Sequence, residues 1–387
     1  MLKRAQAIAD HIIAWRRQIH QHPELAFQEV ETARLVAQTL QDMGIEVKTG
    51  VGKTGVIGRL GSGTPVIALR ADMDALPLTE ATGLPFASQT PGVMHACGHD
   101  AHVACLLGAA QLLSQTPPPR GQVRFLFQPA EETVDQEEQS GAMRMVAEGA
   151  MEGVNAVLGL HVFSTAPAGQ LLFSPGPQMA AAGLFEAHIY GRGGHGAMPH
   201  LTVDPIVLAA QVIMGLQTVV SRRLDPINSG VVTVGTIHGG SKDNIIPESV
   251  ELTGTIRALD DRTYRQIKQE VTHVLETVRP LGGDFELHFS ANYPVTFNDP
   301  AFTGFVRSVA IDLLGEEAVL PAAPVMGGED FSFLAQQAAG CFVRLGAAIP
   351  DGILRNHHDP HFDIDEQVLP IGTALLAETA LRYLNQQ

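Results

Sequence analysis

The run Met94–Ala104 brings a thiol, an imidazole and a carboxylate together within four positions that begin at Cys97. A cysteine and a histidine two residues apart can bind one metal ion from a single turn of backbone. Gly98 between them removes the steric barrier to such a turn. His95 and His102 flank the pattern on either side. The run therefore predicts part of a metal site, and the remaining ligands must come from other parts of the chain.

Length and composition limit the classes of protein to which this chain can belong. A chain of 387 residues is too long for one small core, so two domains are expected. Hydrophobic residues make up 45% and charged residues 17%, which is typical of a well-packed protein rather than a disordered one. Acidic residues outnumber basic ones by 41 to 25, a net charge of −16, which argues against nucleic acid or an anionic membrane as partner.

The cysteines and the N-terminus indicate the compartment. Three widely spaced cysteines, Cys97, Cys105 and Cys341, do not suit a disulfide framework and favour a reducing compartment or a metal or catalytic role. The first residues lack the apolar core of a signal peptide. We expect no apolar run long enough to span a bilayer, and therefore a cytoplasmic protein.

Helices and strands alternate through the first third of the chain. The periodicity predicts strands over Pro65–Ala71, Gln122–Phe127 and Ala156–Val162, with helices over His99–Ser114 and Gly141–Glu152. Such alternation is typical of an α/β layer with a mostly parallel sheet.

The pattern changes near residue 180. It predicts a strand, a long helix starting after an Asp204 cap with Pro205 in its first turn, two strands, a helix and a further strand, the order of a ferredoxin-like α+β sandwich. The α/β pattern returns after about residue 296. We therefore predict a larger catalytic α/β domain, residues 1–180 and 297–387, interrupted by a smaller domain, residues 181–296.

Polar residues follow several of the predicted strands, where open α/β sheets place their sites. Asp72 and Asp74, Glu131 and Glu132, and the segment 356–362 follow such strands, and His161 lies at the end of one. Each fragment has an ordinary explanation: a buried structural histidine, a solvated Glu-Glu pair at a helix start, or a turn made by Asp-x-Asp. Their coincidence at several strand ends favours one shared metal cluster.

Several of these motifs resemble those of the M20 metallopeptidases. The stretches that carry the resemblance are His95–His102, Arg70–Pro77, Phe127–Glu132 and Gly159–His161. More narrowly they resemble the amidohydrolase branch, which contains N-acyl-amino-acid amidohydrolases, hippurate hydrolases and plant auxin-conjugate hydrolases. The resemblance covers almost the whole chain, from Arg17 to Asp363.

This resemblance implies a site of two divalent metal ions with Cys97 as the bridging ligand. The other implied ligands are His99, Glu132, His161 and His358. Two cations a few ångströms apart need an anionic bridge, which a thiolate can supply. Glu131 would be the general base, and Asp74 would support a metal-bound histidine, although Asp72 and Asp100 are alternatives for that supporting role.

The last ligand departs from the usual pattern of the branch. The branch usually has His-Ser-Pro, whereas this chain has His358-Asp359-Pro360 flanked by His357 and His361. Register against Pro360 selects His358.

The smaller domain contains a glycine-rich stretch, Gly191–His200. By itself it is typical of a hairpin. The resemblance implies a lid and dimerisation domain in which His195 stabilises the oxyanion of the tetrahedral intermediate, in many members across a subunit boundary. It also implies that Asn244 and Arg257 bind substrate, and the planar fork of an arginine suits a free α-carboxylate.

Together these observations predict a dinuclear metal-dependent amidohydrolase that cleaves N-acyl-L-amino acids with acetyl, benzoyl or arylacetyl groups. Zinc or manganese would suit the ligands, with cobalt or nickel as alternatives. We expect a homodimer or homotetramer acting on a small molecule. A carboxypeptidase or dipeptidase on the same site is the alternative. The intact Glu131 argues against a silent metal-binding protein, and a zinc-finger-like site lacks its second ligand pair.

Overall fold

The computed structural model describes residues 1–386, apart from the side chains at positions 291 and 386. The helices in chain order are α1 (Leu2–Ala7), α2 (Ala9–Gln21), α3 (Val30–Asp42), α4 (His99–Gln115), α5 (Gly141–Ala147), α6 (Pro205–Thr218), α7 (Asp261–Glu276), α8 (Pro300–Leu314), α9 (Phe331–Ala335) and α10 (Leu369–Gln386). The strands are β1 (Glu46–Val51), β2 (Gly55–Ser62), β3 (Val66–Asp72), β4 (Gly121–Gln128), β5 (Ala156–Pro167), β6 (Leu171–Phe173), β7 (Gly176–Met179), β8 (Ala181–Tyr190), β9 (Gly194–His195), β10 (Gly230–Gly239), β11 (Ile245–Ile246), β12 (Ser249–Ala258), β13 (Asp284–Tyr293), β14 (Thr296–Asn298), β15 (Val319–Pro321) and β16 (Ala339–Ala348).

The chain divides into two compact units. The larger unit comprises Met1–Gly176, Phe297–Ala323 and Asp330–Gln387, and the smaller comprises Pro177–Thr296 and Pro324–Glu329. The sequence prediction assigned residues 324–329 to the larger domain. They join the smaller unit because the Ala180 N–H lies within hydrogen-bonding distance of the carbonyls of Val325 and Gly327, at 3.1 and 2.9 Å.

An eight-stranded sheet forms the centre of the larger unit, in the order β1-β2-β4-β3-β5-β16-β6-β15. The four adjacent strands β4, β3, β5 and β16 run parallel, while β1, β2 and β6 add antiparallel pairings. Every residue of β3 is buried, as expected for a strand covered by helices on both faces. The predicted α/β class with a mostly parallel sheet is confirmed.

This topology brings the predicted site residues to one edge of the sheet. Parallel neighbours end on the same side, so the segments after β3, β4 and β16 meet near the end of β5. Helix α4, which starts at His99 and is buried along most of its length, packs beneath that edge between α2 and α10.

The smaller unit is an antiparallel sheet of order β10-β12-β8-β13 with helices α6 and α7 packed against it. Its chain order and strand order are those of the ferredoxin-like sandwich, as predicted. Asp204 caps α6 by accepting the Ile206 N–H, and Pro205 occupies the first turn.

Helix α6 continues through a π-helical turn to Arg223. It shows that the expectation of no apolar run long enough to span a bilayer is wrong. By length and composition alone, residues Pro205–Arg223 are long and apolar enough to cross a membrane. The helix instead packs against the sheet of its own unit through Leu208, Ala209, Val212 and Leu216.

Candidate metal centre

The turn at Gly98 explains the spacing of the opening motif. Gly98 has φ +90° and lies at the N-cap of α4. A Cβ at this position would lie 2.2 Å from the Val162 side chain, so both the conformation and the space require glycine. The turn allows Cys97, just before the helix, and His99, its first residue, to reach the same cluster.

All five residues predicted as ligands come together in two groups that share Cys97. One group is Cys97, His99 and His161, and the other is Cys97, Glu132 and His358. Within each group the donor atoms lie within 4.8 Å of one another. Four different segments of chain supply these donors, all at the edge of the sheet where the parallel strands end.

Two of the histidines have their tautomers set by backbone carbonyls. Nδ1 of His99 donates to the carbonyl of Asp74 at 2.8 Å, and Nδ1 of His161 donates to the carbonyl of Val162 at the same distance. Because a carbonyl only accepts, Nε2 of each neutral ring keeps its lone pair. In His161 that Nε2 lies 3.5 Å from the Cys97 sulfur.

Asp74 links His99 to the backbone of the segment that carries Glu131 and Glu132. Its Oδ1 lies 3.3 Å from Nδ1 of His99, and its Oδ2 accepts the backbone N–H of Glu132 at 3.0 Å. Asp100, an alternative from the sequence, faces away from His99 toward Arg16 and His20.

The final histidine segment is held against the opening motif. The backbone N–H of His358 donates to the carbonyl of Ala96 at 2.8 Å, and its ring Nε2 lies 3.1 Å from Glu132. His357 also faces the cluster, with Nδ1 3.6 Å from the Cys97 sulfur, but it belongs to neither donor group. The register that selected His358 therefore agrees with the grouping of donors.

Glu131 lies beside the donors and is nearly buried, with 8% of its surface exposed. Its Oε2 is 4.0 Å from Nε2 of His99, and it forms a third group of nearby donors with His99 and Glu132. A carboxylate in this position can take a proton from a water molecule bound within the cluster.

A buried ion-pair network under the cluster was missed at the sequence level. Arg70, completely buried, donates to Asp72 at 2.6 Å and to Asp330 at 3.0 Å. Burial alone would raise the pKa of Asp72, but the charges of Arg70, His99 and His102 and the hydrogen bond from His102 together outweigh burial and hold that pKa well below its usual range. Asp72 in turn accepts from Nδ1 of His102 at 2.6 Å.

These contacts give His102 a structural role. Its Nε2 accepts the backbone N–H of Val162 at 2.9 Å, so both ring nitrogens are used. The network anchors the backbone beside His161. The side chains of Arg70, Asp72 and His102 are all present in the quoted motifs, but no spacing rule reveals which strand end each will contact.

A second buried network joins two of the ligand-bearing segments. Arg16 of α2 lies about 3 Å from each of three carboxylates: Asp100 next to His99, and Asp363 and Glu366 beyond His358. His20, one turn further along α2, contacts Asp100 at 2.8 Å and Glu80 at 3.3 Å. The N-terminal helix therefore holds the opening motif and the last histidine segment together.

The chemistry of the donors fits a pair of divalent cations. Burial, and next the charge of Glu132, raise the pKa of the Cys97 thiol well above its ordinary value, so a thiolate there needs a positive charge beside it. Nε2 of His99 is buried and makes no hydrogen bond to any described residue, while three carboxylates approach it at 3.7 to 4.0 Å. A lone pair without a donor, surrounded by anionic oxygens, is the environment that a metal ion satisfies.

The residues predicted in the smaller unit fall into two places. His195 on β9 is exposed, and its Nδ1 accepts the Ala197 N–H at 3.0 Å, which leaves Nε2–H as a donor in the neutral ring. Asn244 is next to it, because its carbonyl accepts the Gly196 N–H at 2.9 Å and Ile245 pairs with His195.

Arg257 lies on the four-stranded sheet of the smaller unit, at the end of β12 opposite to Ser249. On β12 it pairs with Ala182, whereas Ser249, at the end near His195, pairs with Tyr190. Eight positions along a strand correspond to about 26 Å. The hydrogen bonds of the Arg257 guanidinium to described residues all leave from Nη1, to acceptors of its own sheet such as the Ile256 carbonyl.

The fold and the donor cluster together define an α/β enzyme with a metal centre at the edge of its sheet. Residues 68–382 match the model of peptidase family M20/M25/M40. The chain belongs to this family and is a metal-dependent amidohydrolase.

Relatives show how far the likeness extends. IAA-amino acid hydrolase ILR1-like 5 of Arabidopsis thaliana is 42% identical over 391 residues, covering 99% of this chain and 89% of that protein. Thermostable carboxypeptidase 2 of Saccharolobus solfataricus is 40% identical over 386 residues, covering 98% and 97%. The crystal structure of Bacillus subtilis YXEP, described as a dinuclear metal binding peptidase from the M20 family, matches with a TM-score of 0.84 and 34% identity over 99% of this chain and 100% of that one.

Proposed function

We propose that this protein hydrolyses the amide bond of N-acyl-L-amino acids with two divalent metal ions held by Cys97, His99, Glu132, His161 and His358. The observation that carries the proposal is the sharing of Cys97 between two complete donor groups, with Glu131 beside both His99 and Glu132. When bound, the two ions supply Lewis acidity toward the amide carbonyl and the attacking water.

The side chains around the ions have three different roles in the proposed reaction. Glu131 accepts a proton from the attacking water and delivers it to the leaving amine nitrogen. Asp74 acts as a positioning residue, since it contacts His99 and holds the backbone of Glu132. His195, which presents its Nε2–H, stabilises the oxyanion of the tetrahedral intermediate.

Arg257 and Asn244 are proposed to bind the substrate. The unused face of the Arg257 guanidinium suits the free α-carboxylate of an acylamino acid. His195 and Asn244 are separated from Arg257 by most of the length of the sheet. That separation supports a homodimer in which His195 and Asn244 of one copy complete the site of the other.

The exposed apolar side chains of the smaller unit support the same dimer. Ile206, Val207 and Met214 of α6 are 43 to 69% exposed, and Ile237 on the edge strand β10 is 50% exposed. A second copy that covers this surface would remove both the apolar patch and an open sheet edge. Sedimentation of the purified protein tests this: a dimer or tetramer is expected, and a monomer at micromolar concentration would contradict it.

We propose that the protein is a soluble enzyme of the cytoplasm. Three free, buried cysteines suit a reducing compartment. The packing of α6 against its own sheet supports a role for that helix within the protein rather than across a bilayer.

A substrate panel tests the proposed function directly. The protein is stripped with a chelator, reloaded separately with Zn²⁺, Mn²⁺, Co²⁺ or Ni²⁺, and assayed with acetyl-, benzoyl- and indoleacetyl-L-amino acids and with dipeptides. We expect chelation to abolish hydrolysis, metal to restore it, and acylamino acids to be preferred. Full activity of the metal-free protein would contradict the mechanism.

The same panel separates the alternative function. The 40% identity to a protein named thermostable carboxypeptidase favours a carboxypeptidase or dipeptidase as the second candidate. Faster turnover of dipeptides than of every acylamino acid would establish that alternative.

A further inference from the structure

Glu29 is a completely buried carboxylate outside the donor cluster, and it joins three segments of the larger unit. Its Oε1 accepts the backbone N–H of Phe27 at 3.0 Å and that of Ala130 at 2.9 Å. Its Oε2 accepts from the Thr54 hydroxyl at 2.5 Å. These donors are all neutral, so nothing at this position resembles a simple salt bridge.

Two of the residues that donate to Glu29 have unusual backbone conformations. Phe27 and Ala130 have φ values of +60° and +44°, in the left-handed region that side chains disfavour. Both donate to the same oxygen of Glu29. Lys53, with φ +81°, immediately precedes the third partner, Thr54.

Ala130 is the partner that connects Glu29 to the site. It immediately precedes Glu131 and Glu132, and it is fully buried. On its other side, the Ala130 carbonyl accepts the Gly141 N–H at 2.9 Å. A Cβ at Gly141 would lie 1.6 Å from the Pro129 carbonyl oxygen, so backbone packs tightly against this side of the turn.

A buried carboxyl group is costly to maintain without a cation. Burial, and next the charge of Asp74, raise the pKa of Glu29 to about 7. An apolar residue would fill this space at a lower free-energy cost, but it would leave the N–H of Ala130 without an acceptor.

We infer that Glu29 is a positioning residue for the reaction: its hydrogen bond to Ala130 holds the turn 129–132 in the left-handed conformation that presents Glu131 and Glu132. This inference rests on the proposed roles of Glu131 as base and Glu132 as ligand. Glu29 touches neither substrate nor metal and acts only through the backbone of the turn.

The first test separates reach from charge. Glu29→Gln keeps an oxygen for Phe27 and Ala130 but removes the charge, whereas Glu29→Asp keeps the charge but is too short to reach them. With Mn²⁺ as the metal, we expect Glu29→Asp to lower kcat about 10- to 100-fold with KM changed less than threefold, and to weaken Mn²⁺ binding about tenfold. Glu29→Gln should recover most of both losses. The opposite ranking would show that the charge matters and would overturn the inference.

The second test relieves the strained residue itself. Glycine adopts left-handed φ without a steric penalty. Ala130→Gly, added to Glu29→Asp, should therefore restore kcat about fivefold. No restoration would mean that Glu29 does not act through the conformation of Ala130.

Glu24 provides a matched control. It is a carboxylate of the same loop that also contacts the start of α3, accepting the N–H groups of Glu31 and Thr32 at 2.9 Å, and none of its side-chain hydrogen bonds to described residues reaches the turn 129–132. Glu24→Ala should lower Tm without changing kcat or Mn²⁺ affinity. A change in kcat as large as that of Glu29→Asp would indicate a general stability effect and contradict the inference.

Hydrogen exchange distinguishes failure of this inference from failure of the proposed function. In Glu29→Asp, the amides of 130–132 should exchange at least tenfold faster than in the parent protein, whether or not the protein hydrolyses acylamino acids. Unchanged exchange in Glu29→Asp, with a parent protein that binds divalent metal and is active, would reject the positioning role alone. Failure of the parent protein to bind any of Zn²⁺, Mn²⁺, Co²⁺ and Ni²⁺ would reject the proposed function.

Discussion

The donor cluster of the larger unit and the predicted lid residues of the smaller unit are built in opposite ways. His99 and His161 are buried, and each has one ring nitrogen fixed by a backbone carbonyl. His195 and Asn244 are exposed on a short two-stranded pair, and their geometry is set mainly by local backbone.

This difference indicates where each region acquires its precision. All five donors of the cluster lie within one unit, where two buried ion-pair networks hold the segments that carry them. Under the proposed function, His195 and Asn244 act instead on the site of a second copy. Three predictions can break or sharpen this contrast.

The largest effect is expected at Glu131. Glu131→Ala should lower kcat about 10³- to 10⁴-fold, because the proton transfer that it performs has no substitute nearby. Metal content should stay at two ions per subunit, measured by elemental analysis of the purified variant. Near-normal turnover would remove Glu131 from the mechanism, and loss of metal would reassign it as a ligand.

A smaller effect is expected at His195, and substitution of this residue in one subunit should impair the site of the other subunit. His195→Ala should lower kcat about 10²- to 10³-fold with unchanged metal content, as for loss of an oxyanion donor. Mixed dimers of His195→Ala with Glu131→Ala should regain up to half of the activity per site, since one site then has both residues. Mixtures that stay inactive after verified subunit exchange would place His195 in its own subunit's site.

The smallest effect concerns the stability of the larger unit and its dependence on pH. Burial would lower the pKa of His20, but the charge of Asp100 and hydrogen bonds to Asp100 and Glu80 outweigh it and raise that pKa to about 9. The folded pKa exceeds the unfolded value of about 6.5, so the stabilisation is complete below pH 6.5 and is lost as the pH rises through 9.

His20→Gln tests this dependence. The difference in unfolding free energy between the parent protein and the variant should shrink by at most about 3 kcal/mol from pH 6 to pH 10, measured by urea unfolding. His11→Gln, which removes an exposed histidine from the same helix, is the control and should leave the unfolding free energy at pH 6 close to that of the parent protein. A difference for His20→Gln that is equal at both pH values would exclude a charged His20 in the folded state.

The sequence was sufficient to predict much of the fold, for identifiable reasons. The β-rich run 65–71 and the helical pattern of 99–114 predicted β3 and α4 to within one residue at every end. Asp204 and Pro205 predicted the start of α6 because capping depends on local chemistry. The expectation that no apolar run is long enough to span a bilayer was wrong, since the 19 residues Pro205–Arg223 are long and apolar enough by length and composition.

The contacts of the site were harder to predict from local sequence patterns than the helices and strands were. Spacing around Gly98 predicted that Cys97 and His99 act together, since two residues and one turn determine their geometry. Arg16, Arg70 and Glu29 could not be assigned in this way. Each has a partner 101 to 347 positions away in the chain, and the strand order decides which distant segments become neighbours.

The sequence by itself determined which chemical groups this protein has, where its helices and strands begin, and the family to which its motifs belong, because these depend on residues close together in the chain. Only the tertiary structure decided which nitrogen of each histidine faces the cluster, which carboxylates serve the cluster and which serve arginines, and that a buried glutamate from residue 29 supports the turn before Glu131. Those outcomes depend on which strands become neighbours in the sheet, and burial then makes each unsatisfied polar atom too costly to leave without a partner.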